Sequence, residues 1–209
     1  VLDLVPAHAR SILDVGCGNG VFGAAVKSRT GGRVTGITFG NDEAQVACFH
    51  LDRVVVADLN DFDPRSLGRF DCIVCSHVLE HLLAPEMLLL RLRDCLEESG
   101  VLVVALPNVL FWRQRFQFLL GRFRYADGGL MDRTHFRFFD WHTSAQLILE
   151  AGFTFEGRIA DGAVPLSSWL GRRLAQHVNA AACRLAPGLF GFQFVFRGTA
   201  NPEKSQAGG

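Results

Sequence analysis

The first half of the chain is dominated by short, continuous apolar runs that alternate with helix-forming stretches. The apolar runs lie at 11–15, 33–38, 53–57, 70–76 and 100–106, and the helical patterns at 20–29, 41–51 and 85–98. Pro85 near the first turn of the last helix and Gly100 beyond its end are the usual asymmetry of helix termini. Continuous apolar strands indicate a sheet covered on both faces, and their alternation with helices indicates parallel strands with right-handed crossovers. Residues 1–106 are therefore predicted to form a doubly wound α/β sheet.

The second half of the chain predicts a less regular continuation of the same domain. Helices are predicted at 109–120 and 143–151, and strands at 153–160 and 192–198. A further helix is predicted near 166–186, because apolar residues recur there at helical spacing. These residues are Leu166, Leu170, Leu174, Val178, Ala182 and Leu185. We interpret 1–200 as one domain and the polar residues 201–209 as a disordered tail.

The composition argues against several classes of protein. The 209 residues carry 21 basic and 21 acidic side chains, so a strongly basic nucleic-acid-binding protein is not expected. The six cysteines lack the spacing of a disulfide framework. Cys72 and Cys75 fall inside an apolar run, where a strand would direct them to opposite faces as buried thiols. Because the sequence shows neither a signal-peptide pattern nor an apolar run of about 20 residues, we expect a cytoplasmic location.

The first predicted strand leads into a glycine-rich turn, ILDVGCGNG at 12–20. The dinucleotide-binding fingerprint requires a third glycine where this chain has Val21. Asp14, just before the glycines, would repel a pyrophosphate and attract a cation. Residues 38–63 add six acidic side chains against a single arginine. A cationic ligand is therefore favoured, and an oxidoreductase that uses NAD or a nucleotide sugar is the first alternative.

Four segments resemble, in order, the motifs of class I S-adenosylmethionine (SAM)-dependent methyltransferases. They are ILDVGCGNG (12–20), VVVADLNDFD (54–63), FDCIVCSHVLEHL (70–82) and LEESGVLVVALPN (96–108). The resemblance implies a Rossmann-like, mostly parallel sheet of seven strands in the order 3-2-1-4-5-7-6, with an antiparallel last strand and SAM as cofactor. The residues implied to bind SAM are Asp14, Gly16, Cys17, Gly18, Thr38, Asp58 and Ser76.

One position departs from the pattern of this family. Its members usually carry Asp or Glu at the end of the second strand, where the carboxylate binds both ribose hydroxyls, and this chain has Thr38. A hydroxyl can hydrogen-bond a ribose, but without the charge assistance of a carboxylate. We expect Asn41, Asp42 or Gln45 to compensate. The departure leaves a second alternative open, namely a non-catalytic domain that retains the fold.

Two further segments resemble a bacterial branch of the family that is associated with cell-surface polysaccharide biosynthesis. They are LLGRFRYADGGLMDRTHFRFF (119–139) and the strand-like PGLFGFQFVF (187–196). This resemblance implies a small-molecule or glycan acceptor. We interpret 108–142 as an inserted lid over the acceptor, with Gly128 and Gly129 as its hinge.

The same segment suggests the chemical character of the acceptor. Residues 111–141 contain six arginines, three aspartates and ten aromatic side chains. Arginine binds phosphate through two parallel hydrogen bonds, and aromatic faces stack on sugars or bases. We therefore expect methylation of a hydroxyl on a phosphate-linked sugar. Arg172, Arg173 and Arg184 could extend the contact to the inner membrane surface.

Three histidines and one glutamate are candidates for catalysis. A hydroxyl acceptor needs a base, and the first choice is His135, because its loop is expected to cover the acceptor. His81, which follows the fourth strand, is the second choice. His77, Glu80 and His81 fall at i, i+3 and i+4 and, with His135, are candidate metal ligands. This set resembles the Glu/His sites of ubiquinone O-methyltransferases and small-RNA 3′-end methyltransferases.

Overall fold

A computed structural model describes residues 1–165, 167–169 and 171–201, without the side chain of Ser168. The strands are β1 (Ser11–Val15), β2 (Arg33–Thr38), β3 (Arg53–Val56), β4 (Phe70–Ser76), β5 (Leu96–Pro107), β6 (Phe153–Gly162) and β7 (Gly191–Ala200). The helices are α1 (Val21–Thr30), α2 (Asn41–Ala47), α3 (Pro85–Asp94), α4 (Trp112–Leu119), α5 (Trp141–Glu150), α6 (Arg172–Leu185) and α7 (Pro187–Phe190). Short 3₁₀ turns lie at Leu2–Leu4, Pro64–Leu67, Leu79–His81 and Ser167–Trp169.

The seven strands form one sheet in the order β3-β2-β1-β4-β5-β7-β6. Strands β1 to β5 are parallel to their neighbours. β7 is antiparallel to both β5 and β6. The predicted strand order and the antiparallel last strand are therefore confirmed. Because β1 pairs with β2 on one side and β4 on the other, the carboxyl ends of these three strands meet at one edge of the sheet.

Apolar side chains are buried on both faces of the sheet, as the continuous apolar strands predict. Cys72 and Cys75 of β4 lie in two different apolar clusters, which confirms that they face opposite sides. Burial raises the pKa of the Cys72 thiol to about 12, and it raises the pKa of Cys75 as well. Both thiols are therefore protonated and unreactive near neutral pH.

Two helices end earlier than predicted, since the one predicted at 41–51 ends at Ala47 and the one predicted at 85–98 ends at Asp94. The helix predicted at 85–98 is shorter, because Leu96 already pairs with Phe70 of β4 as the first residue of β5. Gly100 consequently lies inside the strand and does not end the helix. A Cβ atom there would come within 2.9 Å of the carbonyl oxygens of Glu97 and Phe70. The glycine is needed for this close approach of backbone, which the sequence pattern did not reveal.

The region between β6 and β7 contains the helix predicted near 166–186, observed as α6 and packed against β6. Leu166 and Leu170 of the predicted pattern lie outside the described residues, and so do residues 202–209 of the predicted tail. The strand expected at 187–196 begins only at Gly191, because Pro187–Phe190 form α7. None of the described helices combines the length and apolar character needed to cross a membrane.

Candidate active site

A cavity of about 910 Å³ opens at the edge where β1, β2 and β4 end. Ligands of open α/β sheets bind outside the carboxyl ends of the strands, and the volume lies within the usual range of ligand sites. Four of the residues implied to bind the cofactor line this cavity, namely Gly16, Gly18, Thr38 and Asp58. His81, Arg133, Thr134 and Phe136 line it as well. The cavity therefore joins the expected cofactor residues to a candidate base.

The glycine-rich turn after β1 lines the cavity with main-chain atoms that no side chain covers. Gly16 and Gly18 have φ angles of 72° and 51°, in the left-handed region that favours glycine. A Cβ atom on Gly16 would collide with Cγ2 of Val78, so this glycine allows close packing of the turn. A Cβ atom on Gly18 would meet no atom within 4 Å and would project into open space. The turn therefore fits a ligand that approaches the backbone, as SAM does.

Asp14, Cys17 and Ser76 lie near the turn but do not line the cavity. Asp14 is only 3% exposed, and its Oδ2 accepts no hydrogen bond from a described residue. Burial raises the pKa of its carboxyl group to about 7. The Cys17 thiol is buried against Gly36 of β2, and Ser76 is half-buried at the end of β4. Direct contact of these three side chains with the cofactor stays a prediction.

The end of β2 carries an unexpected pair of side chains. The Thr38 hydroxyl donates a hydrogen bond to Oε2 of Glu43 at 2.5 Å, and both residues line the cavity. Asn41, Asp42 and Gln45, which we expected to compensate for the missing carboxylate, do not line it. The sequence analysis counted Glu43 among the six acidic side chains of 38–63 but did not name it as a cofactor-binding residue.

The turn after β3 positions Asp58 at the cavity. Its Oδ1 accepts hydrogen bonds from the backbone N–H and from Nδ2 of Asn60, both at 2.9 Å. Oδ1 of Asn60 accepts a further hydrogen bond from the backbone N–H of Leu83 at 3.0 Å. These contacts fix the orientation of the Asp58 carboxylate and connect its turn to the segment after β4.

Backbone hydrogen bonds connect the turn after β4 to the loop that carries His135. The carbonyl oxygen of Glu80 accepts hydrogen bonds from the N–H groups of Phe136 and Arg137, at 2.9 and 3.1 Å. His135 consequently lies beside His81, with 4.7 Å between their ring centroids. Glu80, His81 and His135 present potential ligand atoms that all lie within 4.8 Å of one another. The structure thus brings together three of the four candidate metal ligands.

The Glu80 side chain is fully buried, and neither carboxylate oxygen accepts a hydrogen bond from a described residue. Nδ1 of His77 lies 3.4 Å from Oε1, an ion-pair contact that raises the pKa of His77. Nε2 of the same ring lies 2.8 Å from Oε1 of Gln193, so His77 bridges Glu80 to β7. A buried carboxylate without hydrogen bonds is costly unless a positive charge lies beside it. His77 would supply that charge when protonated, and a metal ion between Glu80, His81 and His135 would supply another.

The orientation of His81 is fixed by Thr134. Nδ1 of the ring lies 3.2 Å from the carbonyl oxygen and 3.0 Å from the hydroxyl oxygen of Thr134. Because a carbonyl oxygen only accepts, a hydrogen bond here requires the proton on Nδ1, which leaves the lone pair of an uncharged ring on Nε2. The Thr134 hydroxyl in turn donates to Oδ1 of Asp132 at 2.7 Å. The sequence analysis missed both Asp132 and Thr134, because their role depends on a contact between distant segments.

His135 has different surroundings. It does not line the cavity, and its Nδ1 is buried without a hydrogen-bond partner among the described residues. Burial lowers the pKa of this histidine. Because Nδ1 has no such partner, it is available as a metal ligand. Because His135 does not line the cavity, it is less suited to act as a base in contact with the acceptor.

Comparison with known proteins assigns the family. A family model described as a methyltransferase domain matches residues 2–156. The chain therefore belongs to this family, and it is a SAM-dependent methyltransferase with SAM as its cofactor.

Similar curated proteins carry a more specific name. A ubiquinone biosynthesis O-methyltransferase from Psychrobacter arcticus is 28% identical over 183 residues, which cover 79% of this chain and 68% of that protein. One from Xanthomonas axonopodis pv. citri is 32% identical over 111 residues, 50% of this chain and 46% of that protein. The chain thus spans less than half the length of the second relative.

Solved structures agree on the fold. A SAM-dependent methyltransferase from Archaeoglobus fulgidus superimposes with a TM-score of 0.65 and 20% identity, covering 90% of this chain and 85% of the other. One from Mesorhizobium loti gives a TM-score of 0.63 and 17% identity, covering 94% of both chains. At these identities the likeness supports the fold alone.

Proposed function

We propose that this methyltransferase transfers the methyl group of SAM to a hydroxyl oxygen, and that His81 removes the hydroxyl proton. The observation that carries the proposal is the contact of His81 Nδ1 with the carbonyl oxygen of Thr134 at 3.2 Å, which favours the tautomer with its lone pair on Nε2, at a residue that lines the cavity. SAM supplies a methyl group already activated on a sulfonium. What remains for the protein is to orient the acceptor and to accept a proton from it, which the Nε2 lone pair of His81 can do. The two curated relatives described above are both named as O-methyltransferases, which supports the same atom type.

The experiment compares His81→Gln with His142→Gln, which removes an exposed histidine outside the cavity. General-base catalysis typically contributes about 10²- to 10⁴-fold, so kcat of His81→Gln should fall by that order while S-adenosylhomocysteine binds with unchanged affinity. Thr134→Val should lower kcat about tenfold with little change in KM, because it disturbs only the ring orientation. Formation of S-adenosylhomocysteine by His81→Gln at the wild-type rate would contradict the proposal. An inactive wild-type protein that still binds SAM would favour the non-catalytic alternative.

A metal site at the same atoms is the second candidate, and it is favoured by the buried carboxylate. We propose that Glu80, His81 and His135 bind a divalent cation, since their ligand atoms converge and neither Glu80 oxygen accepts a hydrogen bond from a described residue. With its Nε2 lone pair bound to the ion, His81 would not itself remove the proton. Imidazole nitrogens and a carboxylate suit ions such as Zn²⁺ or Mn²⁺. The ion would polarise the acceptor hydroxyl as a Lewis acid.

Calorimetry with Mn²⁺ or Zn²⁺ alone, followed by turnover in excess chelator, tests the metal site. Glu80→Gln should lose the ion, whereas Glu86→Gln, at an exposed position of α3, should bind it as the wild type does. Absence of binding by the wild-type protein, with full turnover in chelator, would exclude the metal and leave His81 acting alone.

The side chains that line the cavity support two kinds of acceptor. Arg133 lines the cavity, which supports an anionic acceptor such as a phosphate-linked sugar of polysaccharide biosynthesis at the inner membrane surface. The guanidinium is ion-paired with Asp127 at 2.8 Å, so an anion would have to compete for it. Exposed apolar side chains of Leu83 and Phe136 line the same cavity and support an apolar aromatic hydroxyl, the alternative favoured by the names of the relatives.

Turnover of matched acceptors distinguishes the anionic acceptor from the aromatic one. The anionic hypothesis expects kcat/KM to be higher for a sugar diphosphate than for the free sugar, to decrease with salt, and to fall in Arg133→Gln. The aromatic hypothesis expects turnover of a catechol that is insensitive to salt and to Arg133→Gln.

A further inference from the structure

The second strand ends without the carboxylate that members of this family usually place beside the ribose of SAM. Thr38 occupies the position, with a side chain that is 2% exposed. A hydroxyl has a single proton to donate, and here it is donated to Glu43 Oε2 at 2.5 Å. Thr38 by itself can therefore only accept a hydrogen bond from the cofactor.

Glu43 brings a carboxylate to the same place from a different element. It lies in the first turn of α2, five residues after Thr38, and it lines the cavity together with Thr38 and Gly40. Asp42, its acidic neighbour, does not line the cavity. We infer that Glu43, held in place by Thr38, is the carboxylate that binds the ribose hydroxyls of SAM.

The chemistry of the pair fits a vicinal diol. Both ribose hydroxyls can donate to one carboxylate, which offers about four acceptor positions on its two oxygens. Thr38 uses one position on Oε2 and leaves Oε1 available. Hydrogen bonds to an ionised acceptor are roughly twice as strong as those between neutral groups. A negative charge here would also repel the 2′-phosphate of a competing NADP.

A purely structural role for Glu43 makes a different prediction. If the carboxylate only accepted the Thr38 hydroxyl, its removal would affect all ligands of the cavity equally. If it binds the ribose, the loss must depend on the ribose hydroxyl itself. Measurements of cofactor binding alone distinguish these two roles of Glu43, and they do not depend on the proposed base, metal or acceptor.

The experiment is a thermodynamic cycle measured by calorimetry with S-adenosylhomocysteine and its 2′-deoxy analogue. The wild-type protein should bind the ribose form about 10- to 100-fold more tightly, the range expected for a hydrogen bond to a charged group. Glu43→Gln should reduce this ratio at least fivefold. Asp42→Asn, which alters an equally exposed carboxylate one residue away, should keep the wild-type ratio.

Two results would overturn the inference. One is a wild-type ratio near unity, which would mean that no strong acceptor contacts the 2′-hydroxyl. The other is a Glu43→Gln protein that keeps the wild-type ratio, whether or not both affinities decline together. Thr38→Val serves as a second variant and should lower the ratio less than Glu43→Gln, because the carboxylate remains but is less well oriented.

Discussion

Asp14 is an ionisable residue that is almost completely buried near the end of strand β1. Its carboxyl pKa is raised from 3.8 to about 7, because burial disfavours the charged form. Between these two values the folded protein binds a proton that the unfolded chain has already released. The free energy of unfolding should therefore decrease as the pH rises from about 4 to 7, by at most about 4 kcal/mol.

Asp14→Asn should remove this dependence, because the amide does not ionise. Relative to the wild type, the variant should gain stability as the pH increases from 5 to 8, when no cofactor is present. Thermal melts at several pH values measure the difference. Parallel pH profiles for the two proteins would show that Asp14 keeps an ordinary pKa. Calorimetry on the same variant tests the expectation that loss of the charge weakens SAM binding.

The two histidines proposed as the base also differ at this scale. The sequence favours His135, because its loop is expected to cover the acceptor, and the geometry favours His81. The hydroxyl oxygen of Thr134, 53 residues away, lies 3.0 Å from Nδ1 of His81, which lines the cavity, whereas His135 does not line it. A pattern of residue types cannot distinguish these environments, because hydrogen-bond partners and burial belong to the folded chain.

At the scale of elements, α5 shows how a short sequence signal defines a helix start. Asp140 accepts hydrogen bonds from the N–H groups of His142 and Thr143, and the Thr143 hydroxyl lies 2.9 Å from the backbone N of Asp140. This capping box begins a helix whose Ser144, Ala145 and Ile148 are buried.

Asp140→Ala should lower the free energy of unfolding by about 1 kcal/mol, and at most about 2 kcal/mol, because two backbone donors lose their acceptor. His142→Ala, in the same first turn but exposed, is the matched control and should change stability by less than about 0.5 kcal/mol. Urea denaturation provides the comparison. Equal midpoints for the two variants would indicate that water replaces the cap without loss.

At the scale of the whole molecule, the sheet is buried at its centre and the segment after β5 is exposed. Strands β1, β4 and β5 contribute fully buried side chains to both faces, whereas residues 119–129 are all exposed. Gly128 and Gly129 have positive φ angles within this exposed segment, and their action as a hinge stays a prediction.

Hydrogen exchange should follow this division. Amides of β1, β4 and β5 should exchange only through global unfolding, and amides of 121–129 should exchange fastest among the described residues. Added S-adenosylhomocysteine should slow exchange around the start of α2, where Glu43 lies. Slow exchange at 121–129 without ligand would rule out a mobile lid.

The sequence by itself determined the alternation of strands and helices and the glycine turn, because these follow from local patterns of apolar residues and glycines. Resemblance to the family added the order of the strands and the cofactor. Only the tertiary structure decided that β5 begins at Leu96, which pairs with Phe70, and that Glu43 and Thr134 line the cavity. These features depend on which segments meet in space. The pairing of Leu96 with Phe70 overrides the local helix propensity, and the carbonyl oxygen of Thr134, distant in sequence, favours a proton on Nδ1 of His81.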